Sequence, residues 1–507
     1  MPEHGKQSAL FKETTLLSIF SISLQGLGLL LNVFLTRRLG ASSVGALTLM
    51  GSFYGLAAVL SGGGGFIGAS RLISEEIGCC GNPRRIFQYI LRFCMTLSCS
   101  ASLLLVLFAP KLAPRIPGAS PHTLQILCLS LPFAALSACF KGRCYAFRRV
   151  YIPAIAECIE FILRAGTLAF CTVFLIPDGK LTEMDAFSIS LISGQIASLL
   201  FLVCARITYP EPTDCKLRFG QFLKIMLPII GNACLVAILS SANDALVPLT
   251  LLQFGNSTEE ALSEFGEFEA IILPTIFFPS VIQCCMSGLL VPELSKANAA
   301  GDSNKIRILT QNVLEQTVSF SLYVVLILYT YGGNIGKLLG GNELTGIILR
   351  WMAPIIPCIY LEIIMEGILR GLGKQNYSSL NYLAEYTVRI SVLLICVPLF
   401  GFYGIVASYM ACNLTGNSVR LMMVLRAADL KPDWKRVLLI PAGSLLLSWQ
   451  TASLLRYILI RLHIGAITEM AVYSVCAAGV FLFVRSVLRN MISEQASEYI
   501  SRWTVSE

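Results

Sequence analysis

The sequence predicts an all-α protein that crosses a membrane many times, and three observations support this fold class. Hydrophobic residues make up 55% of the 507 residues, charged residues make up only 13%, and the mean hydropathy is +0.72. A soluble domain carries about 25% charged residues, roughly twice that share. Apolar runs long enough to span a bilayer recur almost from end to end, so no separate soluble domain is expected.

Fourteen apolar runs meet the requirement of about 20 mainly apolar residues for a transmembrane helix. Most connections between them are short, which favours antiparallel packing of neighbouring helices. The first run is expected to be a retained span, because no small-residue cleavage site follows it. The predicted spans are 14–36, 45–68, 87–110, 121–141, 152–176, 185–205, 222–251, 268–291, 312–331, 345–368, 380–399, 403–425, 437–460 and 467–488.

Lys and Arg are distributed unevenly between the two sides of this topology. With the N-terminus inside, the inner segments carry 25 of them and the outer loops carry 7. This asymmetry predicts that both termini are cytoplasmic. It also accounts for the net charge of +8. The basic residues are scattered and no basic patch or binding motif accompanies them, so a nucleic-acid partner is not expected.

Weak internal repetition indicates two related halves. The segment GNPRRI at 81–86 matches GDSNKI at 301–306, and a Glu-x-x-x-Arg pair in the fifth span matches a second pair in the eleventh span. The two matches are separated by nearly the same interval along the chain. Same-orientation repeats of this kind are typical of transporters that bind their substrate between two halves. The predicted division is a lobe at 1–221, a second six-helix lobe at 222–430, and two appended spans with a tail at 431–507.

The Glu-x-x-x-Arg pairs are the first candidates for chemistry, because charges deep in a membrane are costly unless they are paired or face a cavity. They consist of Glu160 with Arg164 and Glu385 with Arg389. One interpretation is that each pair neutralises itself so that the helix can insert. The other is that the arginines face a central cavity and bind an anionic head group, since a guanidinium holds phosphate oxygens bidentately. Arg92, at the start of the third span, is assigned to the same substrate site.

Three further carboxylates are candidates for coupling to H⁺ or Na⁺. Glu157 lies one helical turn before Glu160, Glu362 lies in the tenth span, and Asp244 lies among small polar residues in the seventh. Each also has a structural interpretation, as a neutralised residue or one near a helix end. The remaining span arginines, Arg350, Arg420 and Arg456, are expected to snorkel from helix ends.

Enzyme signatures are absent from the sequence. Only three histidines occur and none lies deep in a span, so no histidine relay or metal cluster is expected. The 18 cysteines show no zinc spacing and are interpreted as buried thiols. The glycine run at 62–65 lacks the Lys-Ser/Thr of a P-loop and is interpreted as a hinge or a close-packing site. We therefore expect no catalytic residue, cofactor or metal.

Several segments together resemble the Stage V sporulation protein B family, a polysaccharide-biosynthesis branch of the multidrug/oligosaccharidyl-lipid/polysaccharide (MOP) flippases. The resemblance covers nearly the whole chain and is most specific at 291–409. It implies a V-shaped, MATE-like transporter in the bacterial cytoplasmic membrane. The related lipid II flippases place arginines in the first span, whereas this chain has Gln25 and Asn32 there. The segments are SRLISEEIGCCGN, VPELSKANAAGD, MAPIIPCIYLEIIMEGILRGLGKQNYSSLNYLAEYTVRI and PLFGFYGIVASY.

The resulting expectation is a monomeric flippase that moves an undecaprenyl-linked oligosaccharide or peptidoglycan precursor by alternating access. One alternative is a cation-coupled multidrug and toxin extrusion exporter that uses the same carboxylates. A second is a membrane scaffold in wall or spore assembly that transports nothing.

Overall fold

The computed structural model describes residues 2–62, 64–78, 82–147, 149–205, 219–461 and 465–504. Within these ranges the chain is helical and no strand occurs. The α-helices are α1 Pro2–Leu39, α2 Ala41–Gly62, α3 Gly65–Gly78, α4 Pro83–Leu112, α5 Pro121–Leu129, α6 Leu131–Ala146, α7 Tyr151–Phe170, α8 Glu183–Cys204, α9 Phe219–Phe254, α10 Thr258–Glu267, α11 Leu273–Phe277, α12 Val281–Ala299, α13 Ser303–Leu338, α14 Glu343–Met352, α15 Ile356–Gly371, α16 Gln375–Phe400, α17 Phe402–Ala427, α18 Ile440–Arg461 and α19 Ala466–Thr504.

The predicted polytopic all-α architecture is confirmed. Each of the fourteen apolar runs lies in a helical stretch, and eleven helical stretches of the described chain are long and apolar enough to cross a membrane. The first, twelfth and thirteenth runs are not among the eleven. The twelfth corresponds to α17, whose two asparagines and two arginines lower its hydropathy.

The chain forms two compact units, and each has its own buried apolar clusters. One unit contains Met1–Ile271 and Ile390–Ile405, and the other contains Ile272–Arg389 and Val406–Glu507. In the first, side chains of α2, α4, α5 and α8 enclose the fully buried Met50. In the second, α12, α13, α15 and α17 pack around residues such as Leu294 and Ile368. These two units are defined by the compactness of the chain. The division into 1–221, 222–430 and 431–507 was predicted from sequence repetition and stays a proposal.

The helix caps support the internal repeat. The side chain of Asn82 caps α4 by accepting a hydrogen bond of 3.1 Å from the amide of Arg85. At the matching place, Asp302 caps α13 by accepting one of 2.9 Å from the amide of Lys305. Asn and Asp suit this role because their side-chain oxygen satisfies an amide that has no partner within the helix. The matched segments therefore have the same local structure.

A pair of glycines shows that the helices of each repeat pack alike. A Cβ at Gly142 of α6 would collide with the Phe66 backbone and lie 2.8 Å from the Ala69 side chain in α3. A Cβ at Gly367 of α15 would collide with the Ser287 side chain in α12. Glycine lets two membrane helices approach until their backbones are in contact. These close van der Waals contacts hold the helices together, because there is no hydrophobic driving force for association within lipid. The interval along the chain between the two glycines equals the interval between the two Glu-x-x-x-Arg pairs.

Two spans are broken, one at the glycine run and one at a pair of prolines. α2 ends at Gly62 and α3 begins at Gly65, with Gly64 in the left-handed region at φ +65°. The span that continues from α10 changes to a π-helical turn at Phe268–Ile272 and a 3-10 turn at Phe278–Ser280 before α12. Pro274 and Pro279 lie in this second break and remove amide donors from it. The glycine run is therefore a helix break in the structure.

Candidate functional site

The first ionic cluster surrounds Glu160 on α7. Lys141 of α6 places its Nζ 3.0 Å from Glu160 Oε2, and Gln195 of α8 donates a 2.7 Å hydrogen bond to Glu160 Oε1. The same Lys141 Nζ lies 3.8 Å from Glu157 Oε1, which is more exposed. Both oxygens of Glu160 are therefore occupied by donors from neighbouring helices. We denote Lys141, Glu157, Glu160 and Gln195 the first ionic cluster.

Close packing of α7 against α8 positions this cluster. A Cβ at Gly194 would lie 2.8 Å from the carbonyl oxygen of Glu160 and 3.2 Å from the Cβ of Arg164. Only a glycine permits that approach, and it brings the next residue, Gln195, within hydrogen-bond distance of Glu160. The first ionic cluster is therefore formed by side chains of three helices, α6, α7 and α8, and not by α7 alone.

The second ionic cluster surrounds Arg420, a fully buried residue of α17. Its Nη2 lies 2.9 Å from Glu385 Oε1 on α16 and 3.7 Å from Glu362 Oε1 on α15. Its Nε lies 3.2 Å from Glu366 Oε1, also on α15. Three carboxylates from two helices therefore share one guanidinium. We denote Glu362, Glu366, Glu385 and Arg420 the second ionic cluster.

Neutral side chains hold this guanidinium and its main partner in place. Arg420 Nη1 donates a 2.7 Å hydrogen bond to Asn417, and the guanidinium lies 5.1 Å from the centre of the Tyr382 ring. Asn381 donates to Glu385 at 2.7 Å and to the carbonyl of Gly416 at 3.2 Å, which links α16 to α17. Charge-assisted hydrogen bonds are roughly twice as strong as neutral ones, so these bonds strengthen the cluster beyond its ion pairs.

Electrostatics make the second cluster unusual for a membrane protein. Its three carboxylates and one guanidinium have a formal net charge of −2, and Glu366 is also 3.8 Å from the exposed Arg370. Burying a net charge is costly unless further cations or protons neutralise it. The arrangement is therefore chemically suited to take up a proton or a cation. Among the described residues, no group of three or more His, Cys, Asp or Glu has the geometry of a metal site.

The two clusters occupy matching positions of the repeat. The interval along the chain that separates the two central glutamates also separates the residues that contact them. The charges around the glutamate differ: the first cluster has a lysine on the earlier helix and a glutamine on the later one, whereas the second has a glutamate and an arginine. The matched pairs are Glu160 with Glu385, Lys141 with Glu366, and Gln195 with Arg420.

Of the three arginines assigned to the substrate site, two lie one helical turn beyond the central glutamates and the third lies on another helix. Arg389 is half-buried on α16, one turn after Glu385, and its guanidinium lies 5.0 Å from the centre of the Tyr409 ring. Arg164 is half-buried on α7, and within the described part of the chain it makes no ion pair. Arg92 is exposed on α4 and is likewise without an ion pair to any described residue.

Asp244 of α9 has a different environment, made of neutral groups. Its carboxylate accepts hydrogen bonds from the hydroxyl of Ser52 on α2 and, at 3.0 Å, from the amide of Asn243. Ser241 donates to the carbonyl of Ser52 at 3.2 Å, so the same two helices are joined twice. In the described ranges no cation pairs with Asp244. An uncompensated carboxylate with the Ser52 hydroxyl oxygen and the Asn243 carbonyl oxygen nearby offers the oxygen ligands that suit a hard cation such as Na⁺.

Sequence reasoning missed the most buried charge among the residues that the structure describes. The prediction that Arg420 snorkels from a helix end is wrong, because packing encloses it completely. Lys141, the last residue of the predicted span 121–141, was not a candidate, yet its side chain is mostly buried and bound to Glu160. A signal was present: Asn413, Asn417 and Arg420 form a polar stripe on one face of α17, at a spacing that cannot face lipid.

Comparisons with known proteins identify the fold. No protein-family model matches the chain. Stage V sporulation protein B of Bacillus subtilis (strain 168) is 22% identical over 420 residues, which is 79% of this chain and 80% of that protein. The resemblance predicted from the sequence is thus confirmed.

Solved structures extend this comparison. The lipid II flippase MurJ in an inward closed conformation has a TM-score of 0.67 at 16% identity, covering 94% of this chain and 100% of that one. An inward-facing multidrug resistance MATE family transporter of the MOP superfamily has a TM-score of 0.64 at 15% identity, covering 81% and 98%. The chain therefore has the fold that these membrane proteins share.

Proposed function

We propose that this protein is a flippase that moves an undecaprenyl-linked oligosaccharide or peptidoglycan precursor across the cytoplasmic membrane by alternating access. It is not an enzyme in this proposal, and it acts as a monomer with both termini in the cytoplasm. The similarity to Stage V sporulation protein B and the fold shared with the lipid II flippase MurJ support this assignment.

The single observation that carries the proposal is the pair of ionic clusters at matching positions of the two halves. Charged residues within membrane spans are rare and mark substrate or ion pathways. Repeated halves with a polar group in the same place in each are the architecture of secondary transporters. A scaffold needs neither feature, because a helix bundle that only anchors partners is more stable without charges inside it.

Arg164 and Arg389 are the proposed contacts to the anionic head group of the cargo. They occupy matching positions of the repeat, one turn beyond the central glutamates. Because Lys141 and Gln195 already occupy the oxygens of Glu160, Arg164 is not needed to neutralise it. Glu385 likewise has Arg420 at 2.9 Å. These contacts favour cargo binding over simple self-neutralisation for the two arginines, with Arg92 as an outlying contact.

The carboxylates are the proposed site of energy coupling. Asp244, surrounded by neutral donors, is suited to Na⁺ or H⁺. Glu362 belongs to the second ionic cluster, whose formal net charge is negative, so that cluster can take up a proton or a cation. Glu157 is the most exposed member of the first ionic cluster. Their protonation or cation binding would change the electrostatic free energy of a cluster and so bias one conformation over another.

The exporter alternative uses the same carboxylates, and one observation argues against it. The MATE transporter structure covers 81% of this chain, whereas MurJ covers 94%. The shortfall is comparable in length to the two C-terminal spans. A chain with these extra spans matches the larger flippase architecture better.

Reconstitution in liposomes tests the proposal. Fluorescent undecaprenyl pyrophosphates carrying different saccharides are placed in the vesicles, and a membrane-impermeant quencher reports how much lipid has crossed. We expect the protein to accelerate crossing of at least one saccharide, and an imposed Na⁺ or H⁺ gradient to change the rate. Uptake of a cationic dye without lipid crossing would establish the exporter instead, and neither activity would establish a scaffold.

A further inference from the structure

A pair of adjoining surface cavities in the second unit is lined by arginine and aromatic side chains. Their volumes are about 460 and 420 Å³, and both are lined by Tyr329 of α13 and Arg350 of α14. The first extends to Trp351 and the second to Trp449 and Arg456 of α18. None of these residues belongs to an ionic cluster or to the proposed cargo site. We denote the two together the arginine–aromatic pocket.

The charges around this pocket leave one cation uncompensated. Arg456 Nε lies 3.7 Å from Glu469 Oε1 of α19, and that carboxylate also accepts a 3.0 Å hydrogen bond from Tyr331. Glu343, at the start of α14, lies 3.4 Å from Lys337. Arg350 forms no ion pair within the described ranges. The five charged groups around the pocket, which are Lys337, Glu343, Arg350, Arg456 and Glu469, therefore have a formal net charge of about +1.

Packing against α13 fixes the position of Arg350. A Cβ at Gly332 would lie 3.1 Å from Arg350 Cγ, and a Cβ at Gly333 would lie 3.2 Å from Arg350 Nη2. The arginine side chain thus lies along a strip of α13 that has no side chains of its own. An arginine that merely extends into water needs no such strip, so the guanidinium is preorganised beside the pocket.

The rim of the pocket is suited to lipid. Tyr329, Trp351, Trp449 and Tyr457 are each about half exposed, between 46% and 59%. Tyr and Trp prefer the water–bilayer interface, where the ring contacts acyl chains and the polar atom stays hydrated. Arg350 lies in the short helix α14 and Arg456 lies near the end of α18, so both arginines are toward the ends of their helices.

We propose that the arginine–aromatic pocket binds the phosphodiester head group of an anionic glycerophospholipid. Arg350 contacts the phosphate oxygens, Arg456 supports the site from α18, and the rings cover the glycerol and the first carbons of the acyl chains. A phosphodiester carries one negative charge, which matches the one uncompensated cation. A pyrophosphate carries more charge than this pocket balances. The bound lipid would join α14 to α18 and so stabilise the C-terminal helices.

Lipid retention by the purified full-length protein tests this site. Protein in mixed micelles is offered phosphatidylglycerol, phosphatidylcholine or undecaprenyl pyrophosphate, and bound lipid is measured by native mass spectrometry together with the lipid-induced shift in melting temperature. Arg350→Ala is compared with Arg115→Ala, a matched control, because Arg115 is also an exposed arginine but lies outside the pocket. Arg350→Lys serves as a third variant that keeps the charge.

We expect phosphatidylglycerol to be retained by the wild type and by Arg115→Ala, and to bind about tenfold more weakly to Arg350→Ala, as for loss of one charge-assisted contact. Arg350→Lys should lie between, since an ammonium keeps the charge but not the bidentate fork. Equal retention by Arg350→Ala and Arg115→Ala would overturn the proposal. Preference for phosphatidylcholine, or tighter retention of undecaprenyl pyrophosphate, would also overturn it.

Discussion

Replacing Arg420 by glutamine tests whether the second ionic cluster is a stabilising core. The change removes the one cation that three carboxylates share, at 2.9, 3.2 and 3.7 Å, from a fully buried position. Breaking a buried ion pair costs about 3–5 kcal/mol, because the remaining charge is left without compensation. Arg370→Gln is the matched control: it removes an exposed cation 3.8 Å from Glu366, which is worth about 1 kcal/mol or less.

These free energies predict a measurable difference in melting temperature. Unfolding entropy scales to about 2.1 cal/mol/K per residue, so for 507 residues it is roughly 1 kcal/mol/K. Arg420→Gln should therefore lower the apparent melting temperature by roughly 3–5 °C, and Arg370→Gln by about 1 °C or less. The assay is thermal denaturation of the purified protein in one detergent, with all variants heated at one scan rate because unfolding of such proteins is often irreversible.

A second substitution tests the match between the halves. Adding Glu366→Lys to Arg420→Gln gives the central glutamate a lysine on the earlier helix and a glutamine on the later one, which is the arrangement around Glu160. We expect the double variant to regain at least part of the lost stability. The reasoning is refuted if Arg420→Gln is no less stable than Arg370→Gln, or if the double variant is less stable than Arg420→Gln alone.

Three further predictions concern cargo, coupling and packing. Arg389→Ala should fold normally yet fail to move lipid-linked saccharide in liposomes, and full flux would remove its cargo role. Asp244→Asn can still accept from Asn243 through its Oδ1 and can donate to the Ser52 hydroxyl through its Nδ2, but it should lose the response of flux to an ion gradient; an unchanged response would exclude it as the coupling residue. Gly142→Ala and Gly367→Ala should each lower the free energy of unfolding by about 1–3 kcal/mol, as expected for overpacking. The cost should be larger for Gly142→Ala, because its methyl group would meet backbone atoms, whereas that of Gly367→Ala would meet a serine side chain. Thermal denaturation of the two variants measures the order.

Much of the fold was predictable because lipid imposes a strong constraint on sequence. Every span must bury its backbone polar groups in a helix, so hydropathy alone locates the helices. The repeat was predictable where it includes local chemistry, as in the caps at Asn82 and Asp302, since a cap depends only on residues a few positions away. Helix breaks at glycine and proline are local for the same reason.

The partners of the central glutamates were not predictable by the same means. Spacing along the helix pairs Glu385 with an arginine one turn away, but that spacing gives no sign of Arg420, which lies on the next helix of the chain at 2.9 Å. Which residue of α17 reaches α16 depends on helix rotation and on the close approach at Gly416, where a Cβ would collide with Glu385. Such information resides in tertiary packing and not in spacing along one helix.

The exchange of charges between the two clusters has an evolutionary and a mechanical consequence. A newly duplicated gene encodes two identical halves, and identical halves respond identically to a proton or a cation. Here one descendant balances its glutamate with a lysine, while the other gathers three glutamates around an arginine. The same set of positions therefore holds two different sets of charges in the two halves. Under the proposed coupling, an ion gradient acts on one half in preference to the other, and this difference gives a direction to a chain built from two similar halves.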